Sequence, residues 1–202
     1  MPARRLLIAS TNADKVDELR HLLGDCGWRV VGPADLGLRV DVDETGATYA
    51  ENARLKAEAF MRASGLPALA DDSGLEVDAL DGEPGALHHL HGWDGRDQAE
   101  RIQILLDAMS DVPEGQRLAR FHAVIVVVMP DGSELREDGV LEGQITQSPS
   151  GAAGFGYDPV MYIPALGRTV AELSMDEKNA ISHRGLAASR IAQRLREMTS
   201  LQ

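Results

Sequence analysis

Two adjacent carboxylates, Asp71 and Asp72, stand in the run Ala70-Asp71-Asp72-Ser73-Gly74, directly after the apolar Leu66-Pro67-Ala68-Leu69. If Leu69 and Ala70 finish a buried strand and Gly74 turns the chain, the two carboxylates point to opposite faces, because strand side chains alternate. A carboxylate at such a strand end can hold a hard cation such as Mg2+, which takes oxygen ligands and usually keeps several waters. Water activated there, beside a second carboxylate, is a nucleophile. Asp-Asp-Ser-Gly is also the composition of an ordinary turn. Other groups must therefore decide between chemistry and geometry, and the cations Lys15, Lys56, Lys178 and Arg184 are the candidates, each beside a polar loop or a helix start.

The elements that must position these groups can be read from periodicity. Arg5 to Ala9 reads as a buried strand, and Val16, Leu19, Leu22 and Leu23 then recur at helical spacing. Between them, Ser10-Thr11-Asn12-Ala13-Asp14-Lys15 makes a polar loop with Asn12 as N-cap, and free backbone N–H groups at such a helix start favour bound phosphate. Lys15 in the first turn opposes the helix dipole, a local conflict expected of a residue kept for a ligand; a solvated surface lysine is the alternative. After a strand at residues 29–31 and the acidic loop Asp41-Val42-Asp43-Glu44-Thr45-Gly46, Thr48 and Glu51 have capping-box spacing for a helix to about Ser64 that carries Asn52 and Lys56 on one face. Leu75 to Leu80 alternates like a further strand, and Ile102, Leu105, Leu106 and Met109 give an amphipathic helix.

The valine-rich run Phe121 to Met129 is the best central strand, and Asp131-Gly132 turns it into a second strand near Glu134 to Ile145. In Gly154-Phe155-Gly156-Tyr157-Asp158-Pro159 the glycines make a loop that either exposes a ring for stacking on a planar ligand or tucks Phe155 into the core. Ser174 and Glu177 form a second capping box, with Lys178 in the short helix it starts. Ser182-His183-Arg184-Gly185 opens the last helix, whose inner stripe is Ala187, Ile191, Leu195 and Met198. His88, His89 and His91 tempt a metal reading, but no matching Cys or His cluster stands at zinc-site spacing.

The 202 residues, 44% hydrophobic and 26% charged, describe one globular domain spanning 1–202 with two lobes. The formal charge of −12 argues against a nucleic-acid partner, since binding a phosphate backbone needs a basic footprint. Any polyanionic ligand must instead meet a local basic pocket. The single cysteine, Cys26, cannot form an internal disulfide and reads as a small buried apolar residue. The apolar run Leu6 to Ala9 is too short for a signal-peptide core, and no stretch approaches a membrane span. The expectation is a cytoplasmic protein without a membrane partner.

Five ordered blocks resemble one known family, the noncanonical purine nucleoside triphosphate pyrophosphatases that act on inosine and xanthosine triphosphates. The blocks are Ser-Thr-Asn-x-x-Lys at 10–15, Glu-Thr-Gly-x-Thr at 44–48 with Glu51, Asn52, Ala53 and Lys56, Ala-Asp-Asp-Ser-Gly-Leu at 70–75, Gly-Phe-Gly-Tyr-Asp-Pro at 154–159, and Glu-Lys with Ser-His-Arg-Gly at 177–185. The resemblance implies an α/β fold, an elongated two-lobed mixed sheet flanked by helices with a central substrate cleft, and a homodimer. It implies Mg2+-dependent hydrolysis of a purine nucleoside triphosphate to the monophosphate and pyrophosphate. By position, it makes Asp72 the general base and a metal ligand, with Asp43 or Glu44 as its acidic partner and Lys56 as added catalytic charge. Ser10, Thr11, Asn12 and Lys15 would cradle the triphosphate and Ser73 would touch the substrate. Phe155, Gly156, Tyr157, Asp158, Lys178, His183 and Arg184 would hold the base and phosphates. The chemistry agrees, because phosphoryl transfer needs charge neutralisation and positioning more than covalent help.

One block departs from the family pattern: Ala86-Leu87-His88-His89-Leu90-His91-Gly92 stands where relatives commonly show a Ser-Ala-Arg-aromatic run. Pyrophosphatases for other modified nucleotides, and a catalytically silent nucleotide-binding protein, are the rival readings.

Overall fold

The computed structural model describes residues 4–24, 26–86 and 97–200. Seven strands form one mixed sheet in the order β2-β1-β3-β4-β5-β6-β7, accompanied by five helices among the described residues. This is the expected α/β class. The chain divides into two compact units, one running up to Ser73 and including Ala123–Gly139 and the chain from His183 onward, the other made of Gly74–His122 and Val140–Ser182.

In the first unit, β1 (Arg5–Ile8) pairs in parallel with both β2 (Arg29–Val31) and β3 (Ala68–Val77), with Leu7 opposite Val31 on one side and Ala68 on the other. A parallel strand paired on both sides is covered on both faces, which is why Leu6, Leu7 and Ile8 are all buried and the run does not alternate. Helix α1 (Ala13–Leu22) starts at Asn12, whose side chain accepts from the Lys15 N–H at 3.1 Å. Helix α2 (Tyr49–Ser64) is set by a reciprocal box in which Thr48 accepts from the Glu51 N–H and Glu51 accepts from the Thr48 N–H; Gly65, at φ +67°, ends it. Helix α5 (His183–Ser200) lays Ala187, Ala188, Ile191, Ala192 and Leu195 on a core shared with Leu6, Ile8, Leu19, Leu69, Ile125 and Val127. Its first turn comes close to the strand β5 (Glu134–Ile145), and a Cβ on Gly139 would lie 2.0 Å from the His183 carbonyl oxygen. Only glycine admits that approach.

The second unit has its own core, in which Leu75, Val77, Ile102, Leu105, Met109, Phe121, Ile145, Val160 and Met161 meet. Helix α3 (Gln98–Ala108) is capped by Asp97, and α4 (Met175–Ile181) by the Ser174 and Glu177 box. The strands β6 (Met161–Ile163) and β7 (Arg168–Thr169) continue from β5 antiparallel. The strand β4 (Leu118–Val128) begins three residues earlier than expected, because Leu118, Arg120 and His122 keep to its more exposed side while Ala119 and Phe121 are buried.

Two expectations need correction. Gly74 does not turn the chain: β3 runs unbroken through Asp71, Asp72, Ser73 and Gly74 to Val77. The turn preference of these residues yields because their charges find buried partners, so the backbone has no need to reach solvent. The strand expected to Leu80 correspondingly ends at Val77, and Asp78–Leu80 form a 3-10 turn closed by Asp81 at φ +53°.

Arg117, 4% exposed, was not anticipated as a structural residue. Its guanidinium donates to the carbonyls of Met109 at 2.8 Å, Val112 at 3.2 Å, Ile145 at 2.8 Å and Thr146 at 3.0 Å, tying the end of α3 to the end of β5. Arg117→Met leaves those carbonyls without their donor and is expected to lower stability by about 3 kcal/mol or more in urea unfolding. Arg62→Met, which removes only an exposed pair with Glu58, is expected to stay within about 0.5 kcal/mol.

Candidate active site

Asp71 and Asp72 are both buried, 4% and 7% exposed, and alternation along β3 sends them to different partners. Asp71 Oδ2 accepts from Lys15 Nζ at 3.0 Å, Arg184 Nη2 at 3.1 Å and Ser73 Oγ at 3.3 Å. Arg184 also donates to Ser73 Oγ at 2.9 Å and, through Nη1, to Glu18 Oε2 at 2.8 Å. Three elements, α1, β3 and α5, thus close on one guanidinium. Burial would push the Asp71 carboxyl up, but the Arg184 and Lys15 cations outweigh it and hold the group well below the usual carboxylate range. Burial likewise disfavours the Arg184 cation, and Asp71 and Glu18 reverse that, raising its pKa.

Asp72 faces the other way. Lys56, in the middle of α2, donates to Asp72 Oδ1 at 2.8 Å and to Glu44 Oε2 at 2.7 Å. Burial pushes the Asp72 carboxyl up, and Lys56 offsets this only in part while Glu44 adds to it. Glu44, more open to solvent, is held below its ordinary value, with Lys56 prevailing over its partial burial. Burial alone would lower the pKa of Lys56, but the two carboxylates raise it. The neighbouring aspartates therefore differ in kind: one is locked as an anion and the other is a more basic carboxylate.

The loop that brings Glu44 to Lys56 is itself anchored. The buried Asn52 accepts from the Gly46 N–H at 2.8 Å, and a Cβ on Gly46 would sit 2.6 Å from Glu51 Cβ and 2.7 Å from Asn52 Oδ1. Asp43, by contrast, is exposed, and its backbone carbonyl accepts from the Thr45 N–H. At the start of α1, Ser10 accepts from the Asn12 N–H at 3.2 Å. Ser10 and Thr11 also line an open hollow of about 940 Å3 with Val16, Arg20, Pro33 and Leu38.

A second assembly lies within the second unit. Lys178, 5% exposed, donates to Asp158 Oδ2 at 2.6 Å, and its ammonium stands 4.8 Å from the centre of the Phe155 ring. The Phe155 N–H donates to the same Asp158 oxygen at 2.9 Å. Gly154, at φ +77°, passes so close that a Cβ would be 2.0 Å from that oxygen. Gly156 follows at φ +64°. Tyr157 is half-buried against the core, and burial pushes its hydroxyl up to about 12.

Among the expected site residues, Lys15, Ser73 and Arg184 thus gather on Asp71, Glu44 and Lys56 on Asp72, and Phe155 and Lys178 on Asp158. His183 is buried in the first turn of α5. His88, His89 and His91 lie outside the described residues. Glu18 was missed. Its position three residues after Lys15 places it on the same face of α1 and was the available signal.

The Asp71 carboxylate must also matter to stability. Its folded pKa lies below the unfolded value of about 3.9, so its contribution is complete above that value and is lost as pH falls through the folded one. Asp71→Asn is expected to lower the melting temperature by a constant amount from pH 7 to about pH 4, with the gap narrowing below about pH 3. Thermal melts of both proteins across that range check it.

Comparison with known proteins places the chain in a family. The Ham1 family model matches residues 6–194. The dITP/XTP pyrophosphatase of Symbiobacterium thermophilum is 46% identical over 196 residues, 96% of this chain and 96% of that protein. The dITP/XTP pyrophosphatase of Yersinia pseudotuberculosis is 47% identical over 197 residues, 96% of this chain and 99% of that protein. The solved structure of a HAM1 protein from Coxiella burnetii matches with a TM-score of 0.86 at 40% identity, covering 96% of this chain and 99% of that one. Similarity of sequence and of fold over nearly the whole length, spanning both charged assemblies, means that this chain belongs to the Ham1 family.

Proposed function

We propose that this chain hydrolyses noncanonical purine nucleoside triphosphates, ITP, dITP and XTP, to the nucleoside monophosphate and pyrophosphate. The observation that carries the reading is Lys56 bridging Glu44 and Asp72, one strand position from the Asp71 that holds Lys15. Two carboxylates sharing an ammonium, with a second ammonium tethered beside them, suit the joint arrival of a polyanion and a hard cation. The names of the relatives, dITP/XTP pyrophosphatase, support the same reaction.

Asp72 takes the proton of the attacking water, and its burial makes it a stronger base than a solvated aspartate. Lys56 orients that carboxylate and, with Lys15, neutralises phosphate charge. Ser10, Thr11 and Asn12 offer donors to the triphosphate where α1 begins, and Ser73 touches the substrate. Phe155, Gly156, Tyr157, Asp158 and Lys178 serve the base. His183 supplies a donor for a 6-oxo group, and Arg184 fixes the turn that carries it. A 6-amino purine would leave that donor unpaired, which is a strong ground for rejection.

The Mg2+ that the family resemblance implies fits the donor set. Glu44 and Asp72, which share the Lys56 ammonium, would offer it oxygen atoms alone, with the exposed Asp43 next to Glu44 in the chain. Two carboxylates completed by water and phosphate oxygens is a common way of holding Mg2+ and a poor way of holding structural zinc. When bound, the ion would supply neutralisation of phosphate oxygens and acidification of water.

In this proposal residues 1–202 work as a single catalytic domain, in the cytoplasm and as a homodimer, with the nucleotide as partner. None of the described helices is long and apolar enough to cross a membrane. The net charge of −12 disfavours nucleic acid.

Incubation of ITP, dITP, XTP and ATP with enzyme and Mg2+ is expected to give pyrophosphate from the first three and far slower turnover of ATP. Orthophosphate as product, or equal rates with ATP, would sink the proposal. Asp72→Asn is expected to reduce kcat by at least about 100-fold while the circular dichroism spectrum is unchanged.

A further inference from the structure

We infer that Asp71 is a positioning residue that holds Lys15 before substrate arrives and hands it to the incoming phosphates, while Arg184 and Ser73 keep the carboxylate satisfied. This inference rests on the reading of the site as a triphosphate site. Its basis is the lopsided use of one carboxylate. Oδ2 takes three donors, Lys15 at 3.0 Å, Arg184 at 3.1 Å and Ser73 at 3.3 Å, whereas Oδ1 is buried with no hydrogen-bond partner among the described residues.

Removing the one cation from a buried carboxylate would strand a charge. Here a second cation stays. The side chain of Arg184 is 2% exposed and is held from the other side by Glu18, so it cannot follow a ligand; that of Lys15 is 20% exposed, and Asp71 is the one ion-pair partner shown for it among the described residues. Lys15 also occupies the first turn of α1, where the helix dipole opposes a cation. Its place there depends on a nearby anion, and either Asp71 or a phosphate meets that need. Phosphate binding then exchanges one anion for another around Lys15 at little cost in exposed charge.

The test is a double-mutant cycle read by calorimetry with inorganic tripolyphosphate, on wild type, Asp71→Asn, Lys15→Met and the double variant. Asp71→Asn is expected to bind tripolyphosphate roughly three- to tenfold more tightly than wild type, within the usual coupling between contacting residues. In the Lys15→Met background the same substitution is expected to change affinity less than about twofold. A gain that persists without Lys15 would mark a general charge effect and overturn the hand-over. A weaker-binding but folded Asp71→Asn would also overturn it, since a loss is what an aspartate that only keeps Lys15 and Arg184 in place would give.

The side-chain carboxyl carbon of Asp71, followed by carbon NMR in protein with native Asp71, gives a readout that does not depend on the folding of the Asn variant. It is expected to shift on tripolyphosphate addition in wild type and not in Lys15→Met, and an unmoved wild-type signal would remove the inference. Failure of wild type to hydrolyse ITP would instead remove the parent reading. Turnover of ITP by wild type without coupling in the cycle removes only the hand-over.

Discussion

Strand alternation at two consecutive aspartates is the constraint on which this molecule depends. Because β3 continues straight through Asp71 and Asp72, two carboxylates on neighbouring residues enter different surroundings and need different counter-charges. A buried charge is tolerated when it is paired and hydrogen-bonded. The structure meets this demand with helix-borne cations, Lys15 from α1 and Arg184 from α5 for Asp71, and Lys56 from α2 for Asp72. Those pairings make one carboxylate a fixed anion and leave the other more basic. The difference between them follows from placement, since their chemistry as free side chains is identical.

Holding the cations at the required distance falls to uncharged groups. Asn52 secures the Gly46 backbone and so delivers Glu44 to Lys56. Gly139 lets the first turn of α5 come against β5, and that turn carries His183 and Arg184. Asn12 caps α1 and thereby fixes the turn from which Lys15 projects. Gly154 makes room for the Asp158 carboxylate, which then ties Lys178 to the Phe155 backbone. A methyl group at any of the three glycines would collide with a neighbour before it touched a ligand.

Much of the fold was legible because the signals are local. The Thr48 and Ser174 boxes mark helix starts by reciprocal hydrogen bonds within four residues, and both helices begin where expected. The second strand of the hairpin runs over Glu134–Ile145, as alternation and Asp131-Gly132 indicate. The site residues were legible by type. Their state was not. Phe155 shows the difference: its ring is half-buried over the Lys178 ammonium, an arrangement between the two alternatives of stacking platform and core plug.

By itself, the sequence determined the periodic elements, their caps, the acidic balance and the ordered motif blocks, because each rests on residues near one another in the chain. Tertiary structure alone decided that Asp-Asp-Ser-Gly would be strand and not turn, that Arg117 would serve as a buried clamp on four carbonyls, and that Glu18 would complete the Arg184 clasp. All three turn on partners far away in sequence: 113 positions separate Asp71 from Arg184, 28 separate Arg117 from Ile145 and 166 separate Glu18 from Arg184. Local propensity favours a turn only weakly, whereas an unpaired buried charge is expensive, so the long-range pairing prevails.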